Sequence, residues 1–85
     1  MFEEKLKQLW IDGGFATDEP QWFLVTVISI YKRKVVRVDP NTKDGPRFIR
    51  GKNEGVGENF TQAFSECLLS LEEEFDRLKN GNGNA

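Results

Sequence analysis

No histidine occurs in the 85 residues, which removes the side chain most often used as general base, nucleophile activator or metal ligand. Cys67 is the single thiol, at helical spacing with Phe64, Leu68 and Leu71. There a sulfur stays protonated and packs as a small hydrophobe rather than attacking a substrate. Glu72 and Asp76 form an i, i+4 carboxylate pair. On an exposed helix face nothing raises one of the two pKa values towards neutrality, as acid–base work requires. The glycine-rich run from Gly51 to Asn59 invites comparison with phosphate-cradling loops. Lys52, however, is followed by Asn53 rather than Ser or Thr, and Glu54 and Glu58 would repel an anion. It reads as a mobile connector. The sequence therefore predicts no catalytic residue, no cofactor, no metal centre and no small-molecule substrate.

Positive charge is what this chain concentrates. Residues 1–30 carry two lysines against five acids, residues 31–52 eight basic residues against two acids, and residues 53–85 two against seven, so the segments stand at −3, +6 and −5. The central block contains Lys32, Arg33, Lys34, Arg37, Lys43, Arg47, Arg50 and Lys52, with Tyr31 and Phe48 available to stack on bases. Such a strip is a candidate nucleic-acid surface. The competing reading is a basic hairpin neutralised by its own acidic flanks, which fold back within a Debye length of about 10 Å.

These side chains must be positioned by residues 22–51, which hold the strand-type sequence. Trp22–Ile30 is a nearly unbroken run of apolar and β-branched residues, favouring a strand over a short helix. Alternation places Trp22, Leu24, Thr26, Ile28 and Ile30 on one side and Phe23, Val25, Val27, Ser29 and Tyr31 on the other. Both sides call for cover. Val35–Val38 reads as a second strand, Asp39–Pro46 as a firm turn, and Arg47–Arg50 as a third strand. Because Tyr31–Lys34 lacks Gly, Asn or Pro, one long bent strand from Trp22 to Val38 competes with a hairpin.

Helices are expected on either side of this sheet. Phe2, Leu6, Leu9 and Trp10 mark a short amphipathic helix over Phe2–Ile11 that stops at Gly13-Gly14. Asn59 is a good N-cap, with Gln62 placed to return a bond to its amide. From Phe60 an apolar stripe runs through Ala63, Phe64, Cys67, Leu68, Leu71, Phe75 and Leu78, leaving Leu69 outside. The acids Glu72, Glu73, Glu74 and Asp76 read as a solvated face or as a target for a basic neighbour. Asn80-Gly81 supplies a stop, and residues 80–85 read as a disordered tail.

The fold class is thus α+β, a two-layer sandwich in the order α-β-β-β-α, with a single domain over residues 1–79. No apolar run approaches the ~20 residues of a membrane span, and the acidic, amphipathic N-terminus does not look like a signal peptide. A cytoplasmic chain is expected. The element order, with Gly57-Glu58-Asn59 opening the last helix, resembles that of double-stranded-RNA-binding domains. Those domains start that helix with a lysine cluster, whereas Glu58-Asn59-Phe60-Thr61-Gln62 starts this one, and the RNA function is not carried over. Residues 57–71, GENFTQAFSECLLSL, are similar to the strand-to-helix junction of HicB-type antitoxins, a likeness made of capping and amphipathicity.

The expected function is a non-enzymatic protein-binding module, such as a small inhibitor, adaptor or accessory subunit of the phage or mobile-element type. With both helices on the Trp22, Leu24 and Ile28 side of the first strand, Phe23, Val25, Val27 and Tyr31 form an open apolar strip flanked by Arg33 and Arg37. The opposite assignment exposes Leu24 and Ile28 instead. The partner is a protein, a second copy of the chain included, with nucleic acid on residues 31–52 as the alternative.

Overall fold

In the computed structural model, which describes residues 1–81, α1 (Phe2–Asp12) leads into β1 (Phe23–Ile30), β2 (Arg33–Pro40), β3 (Glu54–Gly57) and α2 (Phe60–Gly81). The strands form one antiparallel sheet in the order β1-β2-β3. The α-β-β-β-α sandwich expected from the sequence is the fold adopted. Asn80-Gly81 does not stop α2, which runs through Gly81. The expected tail at 82–85 lies outside the described residues.

Local sequence accounts for both helices. The Gln62 amide donates to Asn59 Oδ1 at 2.8 Å, and Gln62 Oε1 accepts from the amide of Glu58 at 3.0 Å, one residue before the amide expected. Ala63, Cys67, Leu71 and Phe75 are buried along α2, with Phe60, Phe64, Leu68 and Leu78 half-buried beside them, while Leu69 is exposed. α1 buries Leu6 and Trp10. Trp10 lies 5.0 Å from the Trp22 ring, 5.2 Å from Phe75 and 5.8 Å from Phe48, and Phe2 meets Phe64 edge-on at 4.5 Å. Gly13 and Gly14 close the helix by donating to the Leu9 and Ile11 carbonyls, and Gly14 takes φ 86°, where glycine carries no Cβ penalty.

Three features of the sheet bear on the sequence reading. First, residues 22–38 form the expected hairpin of two strands, not the competing single bent strand, and reverse at Tyr31-Lys32. Second, Arg47–Arg50 is not a strand; the third strand is Glu54–Gly57, within the run read as a mobile connector. Third, Val25 pairs with Val38 and Val27 with Val36, so Val25 and Val27 share the helix-facing side with the buried β2 valines. The open side carries Leu24, Thr26, Ile28 and Ile30, the reverse of the leading sequence reading.

The reason for the second of these, the shifted third strand, is steric. A methyl group on Gly55 would overlap the Cys67 amide nitrogen and the Ala63 carbonyl oxygen. β3 therefore lies backbone against backbone on α2, a contact that only glycine permits, above the small residues Ala63 and Cys67. Glycines that suggest flexibility in the sequence here permit the tightest packing in the fold.

The long connection over residues 41–53 is tied down by polar groups. Asn53 donates through Nδ2 to the Val38 carbonyl at 2.7 Å and to Asp39 Oδ1 at 3.2 Å, while its own carbonyl accepts from Val38 N–H at 3.0 Å. Glu74 Oε1 accepts from the Ile49 amide at 2.7 Å. Pro46 is fully buried, and Phe48 reaches the core. Gly55→Ala is expected to cost about 3 kcal/mol by overpacking, whereas Leu69→Ala stays within about 0.5 kcal/mol; urea unfolding midpoints of the two variants measure the contrast.

Candidate functional site: an open strand edge

β1 is the least covered element. α2 lies over β3 and β2 but does not extend over β1. Leu24, Val25, Val27, Ile28 and Ile30 are exposed by 48, 36, 49, 41 and 59%. Only Phe23, at the start of the strand, is half-buried; it packs against the core, and its ring centroid is 4.2 Å from that of Trp22. Alternation along the strand predicts one side as core and the other as open. In the structure both sides reach solvent.

The edge is open for hydrogen bonding as well. The Trp22 carbonyl accepts from Asn41 N–H at 3.1 Å, and a two-residue turn joins Ile30 to Arg33. In an antiparallel ladder the bonding direction alternates. Leu24, Thr26, Ile28 and Ile30 therefore bond to β2, and the backbone groups of Phe23, Val25, Val27 and Ser29 point outward. Natural edges are commonly protected by charge, proline or a bulge. Within β1, FLVTVISI, there is no charged residue and no proline.

Tyr31 caps the hairpin end. It has φ 55° and is 89% exposed, with Lys32 Nζ 5.8 Å from its ring centroid. It is the only non-glycine residue of positive φ among those described, so only the first of the two turn positions is left-handed, as in II′ hairpin turns that take glycine there. Tyr31-Lys32 lacks that glycine, which is why residues 31–34 read ambiguously.

The basic residues do not form one strip. Lys32, Arg33 and Lys34 gather at the hairpin end, where Lys34 donates to Ser29 Oγ and lies 5.6 Å from the Phe60 ring centroid. Arg37, on the open face with Arg33, is paired with Asp39 at 3.0 Å. Arg47 and Arg50 line a separate concavity with Arg37, Asp39 and Glu54 at the opposite end of β2, and Lys43 and Lys52 are exposed in the connection. Acidic neighbours thus break up that second group. Among the predicted partner-binding residues, the structure brings Val25, Val27, Tyr31 and Arg33 to the open hairpin, keeps Phe23 half-buried, and engages Arg37 with Asp39.

Two titratable groups are perturbed by the fold. Burial, reinforced by the charge of Glu54, pushes the Cys67 thiol up to about 12, and Cys67 Sγ donates to the Asn53 carbonyl at 3.6 Å. That suits packing and opposes nucleophilic use. Burial alone would push the Glu74 carboxyl up, but bonds from Arg77 and the Ile49 amide outweigh it and hold the group below its usual 4.5. The sequence places Glu74 on a solvated face or beside a compensating basic neighbour. It is in fact buried, and the neighbour is Arg77, which also donates to the Arg47 carbonyl at 3.1 Å. Its place one turn beyond Leu71, next to Phe75, was the signal available.

Comparison with protein-family models, curated proteins and solved structures finds no match.

Two outcomes follow from this geometry. Tyr31→Gly relieves a left-handed non-glycine residue and is expected to stabilise the fold by about 1 kcal/mol, read by chemical denaturation. The Glu74 contribution is complete above pH 4.5 and is lost as pH falls through the lowered folded-state value. Glu74→Gln should therefore flatten the acid side of the stability profile, and its stability relative to the wild type should recover as pH drops below 4.5.

Proposed function

We propose that this chain is a non-enzymatic protein-binding module that accepts a partner's extended segment beside β1. The observation that carries the reading is an eight-residue edge strand with five apolar side chains at least one-third exposed and outward-facing backbone groups. Strand addition supplies main-chain hydrogen bonds from the edge and side-chain contacts on alternate faces. Covering about 300 Å² of apolar surface at ~25 cal/mol/Å² gives several kcal/mol of gross driving force, before the entropic cost of association. The acidic outer face of α2, with Glu72, Glu73 and Asp76 exposed, offers a second surface to the same partner.

Tyr31 fits this role. A left-handed, almost fully exposed aromatic residue at a hairpin tip costs stability where glycine would not, and its ring adds a contact at the end of the open edge.

The test compares a tagged wild-type chain with Val27→Lys, which places a charge at a half-exposed position of the open edge. The wild type should retain a protein in stoichiometric amount, whether another protein or an untagged copy of itself, and the folded variant should lose it. A folded wild type that retains no protein overturns the reading. Oligonucleotide binding that collapses with salt and with Arg33→Glu would replace it with the nucleic-acid alternative.

A further inference from the structure

Resting on the strand-addition reading, we infer that the segment accepted by β1 is β1 of a second copy, paired antiparallel about a two-fold axis at Thr26. The two three-stranded sheets become one continuous sheet of six strands.

The register follows from which backbone groups are free. A two-fold axis normal to the sheet keeps each face in common, so residues opposite each other must share a side of the strand. Centred on Thr26, the pairing sets Val25 against Val27 and Phe23 against Ser29 of the second copy, and all four outward-facing residues bond reciprocally. Centring on Val27 would set Phe23 against Tyr31, and centring on Val25 would set Ser29 against Gln21; both partners lie outside β1. Thr26 is the centre that keeps every free backbone group within the strand. It also sets Leu24 against Ile28 on the open face, so exposed apolar side chains meet their own kind on both sides.

Charge points to the same arrangement. Antiparallel pairing brings the hairpin end of one copy to the beginning of β1 in the other, where Asp18 and Glu19 precede the strand. The hairpin end with Lys32 and Arg33 thereby comes to the same end of the interface as Asp18 and Glu19 of the second copy, and symmetry repeats the arrangement at the other end. Among the described residues none of these four side chains makes an ion pair within the chain, and all are exposed. A parallel pairing would instead gather the basic ends together and the acidic ends together.

Sedimentation of the full chain, Thr26→Cys oxidation and a charge swap test the inference. At the two-fold axis the Thr26 positions form a non-hydrogen-bonded pair about 4.5 Å apart, within the ~4.4–6.8 Å range that a disulfide spans. Thr26→Cys is expected to oxidise to a covalent dimer, whereas Ile28→Cys, whose two positions lie about 14 Å apart in this register, is not. Cys67 is fully buried, so the introduced thiol is the one that reacts. Arg33→Glu should weaken the dimer about tenfold, and adding Glu19→Arg should restore it. A wild type that stays monomeric up to about 1 mM, or a dimer cross-linked through Ile28→Cys but not Thr26→Cys, overturns the proposal. If the chain is monomeric yet captures another protein that Val27→Lys loses, strand addition stands and only the second copy as occupant fails.

Discussion

The contact of β3 with α2 at Gly55 is the constraint on which the rest of the architecture depends. Without a Cβ at that position, the strand backbone comes down onto the Ala63 carbonyl and the Cys67 amide. Because β3 pairs with β2 at Val36, the same contact sets the height of the helix over the sheet. Val36 and Val38 are thereby buried beneath α2, and Trp10 of α1 completes the core with Trp22 and Phe75. Close packing of this kind gives a well-defined interior to a chain short enough to build only one.

The same placement leaves β1 uncovered. A helix centred over the β3 edge spans the neighbouring strand and stops short of the far one, since adjacent strands lie about 4.8 Å apart. α1 does not fill the gap, because Leu6 and Trp10 dock against the helix and the aromatic cluster rather than over Val25 and Val27. An apolar strand is therefore held in place by its hydrogen bonds to β2 while its flanks and outer edge reach solvent. Tight packing at one edge of the sheet and exposure at the other are two results of one geometry.

Polar groups maintain this asymmetry by fixing the long connection between β2 and β3. Asn53 continues the ladder where β3 has not yet begun, with its side chain on the Val38 carbonyl and its backbone on the Val38 amide. Glu74, buried on the stripe of α2, receives the Ile49 amide and is neutralised by Arg77. A buried carboxylate without these donors would be costly. With them, a connection rich in glycine and charge becomes a fixed wall of the core that carries Pro46 and Phe48 inward.

Local patterning determined much of this protein. The stripe from Phe60 to Leu78, the Asn59 cap, the short first helix with its glycine stop and the apolar β1 run are legible because period and capping depend on neighbours a few residues away. Exclusion of Leu69 from the stripe and burial of Cys67 follow from that period. Three features were decided only in three dimensions. Which glycine run is a strand depended on how closely α2 could approach Gly55, and which side of β1 faces the helices depended on its register with Val36 and Val38. Whether Glu74 is solvated or buried depended on Ile49 and Arg77. The two faces of β1 are nearly equal in hydrophobicity, so alternation carried no preference between them. Exposure of both is set by the reach of a helix placed against the opposite edge of the sheet, a property of the packed layers rather than of the residues in β1.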